Sequence, residues 1–134
     1  MITSCIPNQA TVDFLSGVHE ESDTYKLALF TDTAAIDETT STYSTTGESS
    51  GTGYPAGGWA LSGTDFALQT DHATITFAAL TKTGLTLATD GFVIYNSSKS
   101  NKIIFVQRFD TAPVALSSQN LRITLADIID LVKA

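Results

Sequence analysis

The chain holds one cysteine, one methionine, one tryptophan, three prolines and two histidines among its 134 residues, and seven basic residues against fourteen acids. Each scarcity removes a class of function. A single thiol, Cys5, cannot close an intrachain disulfide, and without a partner cysteine or a histidine cluster it reads as a packing residue. His19 and His72 fall in no metal-binding spacing and read as surface or loop residues. No stretch approaches the ~18 apolar residues of a membrane span, and MITSCIPNQATVDFLSG lacks the basic lead and apolar run of a secretory signal. The sequence therefore predicts no membrane contact. Phosphate binding needs a basic footprint, and a formal charge of −7 is the opposite, so nucleic acid is not an expected partner.

What is present is unevenly placed. Residues 1–48 carry eight acids against one base, Lys26, while residues 49–134 carry six of each. Such a surface either keeps the chain soluble or complements a basic patch on a partner. At this length one domain, 1–134, buries about two-thirds of the surface its unfolded chain exposes and needs no staples.

Asn8 to Gly17 predicts a short helix, with Asn8 as cap, Ala10, Phe14 and Leu15 near one face, and Gly17 as terminator. Tyr25–Phe30 reads as a strand. Period-two segments then follow at Trp59–Ser62, Phe66–Gln69, Ala73–Phe77, Leu85–Ala88, Phe92–Asn96, Ile103–Phe109 and Leu121–Leu125. Phe92–Tyr95 and Ile103–Val106 are apolar on both faces, which predicts central strands covered on both sides. Asn96–Lys102 between them is rich in residues that bond their own backbone and predicts a hairpin turn. Asp127–Lys133 suits a strand through Ile129 and Leu131 and a helical turn capped by Asp127 equally well. The predicted fold is all-β, an antiparallel β-sandwich of jelly-roll or immunoglobulin-like kind with a short N-terminal helix.

Between the first two strands lies Thr31–Gly58, 28 residues rich in Thr, Ser and Gly, with no Lys, Arg, His or Cys. A connection longer than about 12 to 15 residues is unusual in a compact domain and marks a functional arm or a linker. Its large apolar residues are Ile36, Tyr43 and Tyr54, too few to offset the entropy of ordering the whole segment, roughly 1 to 2 kcal/mol per residue. Order is expected from neighbouring subunits or from lying along its own sheet through those three side chains. The segment is expected to bridge to other subunits, and deletion of Thr39–Ser50 to leave the sandwich folded but weaken assembly.

Motifs that suggest chemistry fail on context. Gly47-Glu-Ser-Ser-Gly51 has the form of a hydrolase nucleophile elbow, and Asp65 and His72 follow in triad order. The elbow works only where a buried strand turns sharply into a helix, and the flanking Ser/Thr and Gly/Pro stretches predict neither, so no enzyme is expected. Gly51-Thr-Gly-Tyr-Pro-Ala56 lacks the strand and helix of a dinucleotide site. Asp32, Asp37 and Glu38 offer oxygen ligands at no EF-hand spacing, and neither a metal nor a cofactor is assigned. Asn96-Ser-Ser98 reads as turn rather than glycosylation acceptor. The residues proposed for partner contact are Tyr43, Tyr54, Trp59, Asp37, Glu38 and Glu48: the rings either anchor the segment, face another subunit or stack on a glycan, and the acids meet a basic surface.

Four stretches, Phe14–His19, Asp23–Phe30, Tyr43–Gly58 and Tyr95–Lys102, resemble a family of small proteins encoded among the structural genes of tailed bacteriophages. The resemblance covers about Phe14 to Phe105 and carries no catalytic residues. Asp127–Ala134 departs from the Thr-rich ending the family would suggest. The resemblance implies a virion component, assembled in the host cytoplasm. Within it, the expected role is a capsid decoration or cement protein, a homo-oligomer that bridges major capsid subunits. The alternatives are a tail or head-to-tail connector component and a glycan-binding host-attachment module.

Overall fold

Alternating apolar residues need a covered face, and the chain supplies two such faces to one sheet. The computed structural model describes residues 1–68 and 72–132, the side chains of residues 72 and 130–132 excepted. It shows an all-β, sandwich-like fold built from antiparallel sheets and one short helix. After helix α1 (Asn8–Leu15) come strands β1 (Tyr25–Phe30), β2 (Trp59–Ala60), β3 (Asp65–Leu68), β4 (His72–Thr76) and β5 (Leu80–Thr89). They are followed by β6 (Gly91–Asn96), β7 (Lys102–Arg108), β8 (Val114–Ile123) and β9 (Ile129–Val132). The sheets run β2-β1-β6-β7, β3-β4-β9 and β5-β8. No helix of the described residues is long and apolar enough to cross a membrane.

One face of the four-stranded sheet packs Tyr25, Leu27, Leu29, Phe92 and Ile94 against Ile75, Leu87, Ile123 and Ile129 of the smaller sheets and Phe77 just beyond β4. The opposite face buries Ala28, Phe30, Val93, Tyr95 and Val106 in a second cluster with Ile2, Ala34 and Ile36. All six residues of β6 are buried, as strands apolar on both sides require. The second layer is not a sheet. It is the N-terminal segment together with Thr31–Gly58.

That segment crosses the back of the sheet and fastens to both of its edges. At the β7 edge, Ile103 donates to the Ser41 carbonyl and Tyr43 to the Asn101 carbonyl. At the β1 edge, Thr31 donates to the Gly47 carbonyl and Ser49 to the Leu29 carbonyl, and Thr52 then exchanges both hydrogen bonds with Thr86 of β5. Cys5 likewise exchanges both hydrogen bonds with Val106, so the exposed edge of β7 is closed by the chain itself. Its thiol is half-buried, and burial, then the charges of Glu38 and Asp37, push it above its ordinary value, consistent with a packing role.

The helix differs from expectation at its start. Asn8 is the first helical residue, Pro7 holds the cap position, and the Asn8 amide donates to the Glu38 carbonyl. Its end is as expected: Gly17 at φ +72° lets Gly17 and Val18 donate back to Phe14 and Asp13, closing the last turn. Ala10 and Phe14 face the core as predicted, but Leu15 is exposed and Asp13 is buried in its place, because the helix also docks through the polar network described below. The C-terminal alternative resolves as a strand, β9, paired with β4, and Asp127 at φ +51° makes the turn before it.

Candidate functional site

The six residues proposed for partner contact separate into two groups. Glu48 sits at the middle of the long segment, and its carboxylate accepts hydrogen bonds from Tyr43 Oη at 2.7 Å, Tyr54 Oη at 2.6 Å and the Gly57 amide at 2.7 Å. Tyr54 Oη in turn accepts the Leu29 amide of β1 at 3.0 Å. Tyr95 Oη donates to the Gly57 carbonyl at 2.6 Å, and the Tyr43 ring stacks on the Tyr95 ring with centroids 4.4 Å apart and planes 12° from parallel. Burial first, and then the neighbouring carboxylate, raise both the Tyr43 and Tyr54 phenols, keeping them neutral donors.

This arrangement answers how so polar a segment is ordered. Each donor around Glu48 meets an acceptor, so little is lost on desolvation there, and the three rings supply the apolar contact; the buried Ser49 hydroxyl, without a partner among the described residues, is an exception in the segment. Of the two routes to order, the segment takes its own sheet. Removing Thr39–Ser50 would take away Tyr43 and Glu48 and uncover Ile36 and the second core, so the deletion is now expected to destabilise the sandwich. The glycan reading also loses its platforms: Tyr54 is buried, Tyr43 is stacked on protein, and Trp59 meets the Tyr54 ring edge-on with Lys82 over its face.

Asp37 and Glu38 form the other group. Both are exposed on a turn closed by the Thr40 amide to the Asp37 carbonyl, and neither has an ion-pair partner among the described residues. Hydrogen bonds from the Thr39 hydroxyl and amide hold the Asp37 carboxyl below its ordinary value. Asp32, by contrast, is engaged by Arg108. Beside this turn a groove of about 310 Å³ opens in the second layer. Its floor is Phe30, Ala34, Ile36, Tyr43 and Ile103, and exposed Thr33, Thr42 and Thr46 stand on its rim.

A second polar centre was missed by sequence reasoning. Asn96 is fully buried, so it is no surface acceptor; its Nδ2 donates to Asp23 at 2.8 Å and lies 3.0 Å from His19 Nδ1. Because Asn96 Oδ1 accepts the Ser98 amide, Nδ2 is the donor, and His19 is fixed as the neutral tautomer with its proton on Nε2. His19 is 6% exposed, which corrects its assignment as a surface residue. Lys99 pairs with Asp23 at 3.0 Å and Lys102 with Asp13 at 3.6 Å, tying α1 and the β6–β7 turn together. The four stretches that carry the phage resemblance supply most of the residues of these two polar centres, with Gln9 and Asp13 lying outside them.

Burial lowers the His19 pKa below 6.5, against the opposing pull of Asp13 and Asp23. A depressed folded value stabilises the protein above the unfolded value and loses that contribution as pH falls toward the folded one. Stability to urea is therefore expected to decline from about pH 6.5 downward, before Asp23 titrates. His19→Gln should flatten this decline. An unchanged slope in the variant would show that another group is responsible.

The hydrolase-like triad gains no support from geometry. Ser49 is 4% exposed, its Oγ has no partner among the described residues, and no helix follows it before β2. Asp65 lies on β3, and the His72 side chain lies outside the described residues. No protein-family model, curated protein or solved structure matches the chain.

Proposed function

We propose that this protein is a structural component of a tailed-phage virion, and specifically a decoration or cement subunit that bridges major capsid proteins. The observation that carries the reading is the state of the Thr31–Gly58 segment: a hydroxyl-rich outer layer, pinned at both sheet edges and around Glu48, that carries an acidic turn without an ion-pair partner among the described residues. A surface ordered in advance binds without the entropy cost that a loose arm would incur. Many identical contacts of modest strength, repeated over a shell, then raise the cost of separating its subunits. Bridging is thus assigned to a rigid face in place of a reaching arm. Exposed Glu20, Glu21, Asp37 and Glu38 suit a basic protein partner and oppose contact with packaged DNA.

The test is reconstitution. Particles assembled without this protein should disrupt at a lower temperature than complete ones, and adding the purified protein back should restore the difference. Failure of the purified protein to bind shells lacking it would overturn the reading.

A further inference from the structure

The groove between the Asp37–Thr40 turn and β7 is an apolar socket in an otherwise polar layer. Its floor is continuous with the second core, since Phe30, Ala34, Ile36 and Ile103 are each at most 6% exposed, while the rim carries hydroxyls. Interfaces concentrate their affinity where one apolar or aromatic anchor fills such a pocket inside a polar ring. The charge around it is selective. Arg108 is engaged by Asp32, Lys102 by Asp13, and the Met1 ammonium by the carbonyls of Asp32 and Ala34. Asp37 and Glu38, on the turn beside the groove, have no base opposite them among the described residues.

The geometry points to this groove as the docking site for a segment of another protein that presents one apolar or aromatic side chain flanked by lysine or arginine. This deepens the virion reading and rests on it for the partner's source. A second copy of this chain is disfavoured as occupant, because a symmetric contact would bring the acidic turns of both copies together. Two flanking cations would meet Asp37 and Glu38, giving steering at low salt and a contact that weakens as ionic strength rises.

The test uses the full-length protein labelled with nitrogen-15 and the blocked heptapeptide GKGFGKG as probe, with GKGSGKG and GEGFGEG as controls. The first is expected to give saturable amide shifts centred on Ile36, Tyr43 and Ile103, at least tenfold weaker for either control and weaker again in 0.5 M salt. Ala35→Trp, at an exposed position on the groove wall, should abolish them with the melting temperature unchanged; should that variant not fold, Thr42→Trp fills the groove from the opposite rim. Absence of saturable shifts, shifts elsewhere, or equal shifts from the acidic peptide would overturn the proposal. The two readings fail separately. Shell binding by the intact protein that is unaffected by a folded groove-filling variant removes the socket and keeps the virion role, whereas no shell binding at all removes the virion role.

Discussion

Gly58→Ala is expected to prevent folding, or to lower stability by about 4 kcal/mol or more, a range reached only by a few named mechanisms. Gly58 has φ +82° and donates to the Pro55 carbonyl as the long segment turns into β2. A Cβ there would stand 1.9 Å from the Leu27 carbonyl oxygen and 2.8 Å from the Ala28 Cα, both backbone of β1. Nothing flexible can move aside, so the β1–β2 register at Leu27 and Trp59 must open. Gly84→Ala is the control, since Gly84 has φ +68° but no atom within 4 Å of the added carbon. It should cost only the left-handed strain, about 1 to 2 kcal/mol. Urea unfolding of both variants checks this, and equal losses would show that the close approach at Gly58 does not exist.

Glu48→Ala is the second large effect. It leaves the hydroxyl of buried Tyr54 and the half-buried Gly57 amide without an acceptor, at about 1 to 3 kcal/mol each and nearer the lower figure for Gly57, while the half-buried Tyr43 hydroxyl can turn to water. A loss of about 3 kcal/mol is expected, corresponding to a fall in melting temperature of about 10 °C for a domain of this size. Glu48→Gln retains an oxygen acceptor and should lose less than half as much. Amide exchange across residues 31–58 should accelerate in the alanine variant. A loss below about 1 kcal/mol would show that the apolar contacts of Ile36 and Tyr54 hold the segment without the carboxylate.

Much of the fold was legible because its signals are local. The strands β1, β6 and β7 and the hairpin between the last two follow from alternation and turn chemistry, and two-sided apolarity at Phe92–Tyr95 announced that something must cover the back of the sheet. Period alone could not say that the cover is Thr31–Gly58, because a layer without strand alternation has no periodic signature. The first half of β8 was hidden for a related reason. Its pairing with β5 shifts register around Leu85, Ser118 sits at φ +50°, and the sequence Ser117-Ser-Gln-Asn120 reads as loop.

The candidate site was half legible. Aromatic and acidic residues in a long polar segment were the right ones to single out, yet composition gives no direction, and Glu48 faces inward while Asp37 and Glu38 lie on the surface. The His19 centre was invisible because its members are spread over 94 residues, from Gln9 and Asp13 through Asp23 to Asn96, Lys99 and Lys102, too far apart for any motif to reveal.

The central claim is that a rigid acidic face of this protein bridges capsid subunits, and a density map of the intact particle at side-chain resolution tests it most directly. The account predicts copies of the chain on the outer capsid surface, each spanning two or more capsid subunits, with the Thr31–Gly58 layer in the conformation described here. Copies confined to the tail or the head-to-tail connector, or a Thr31–Gly58 segment detached from its own sheet and extended over a neighbour, would contradict it.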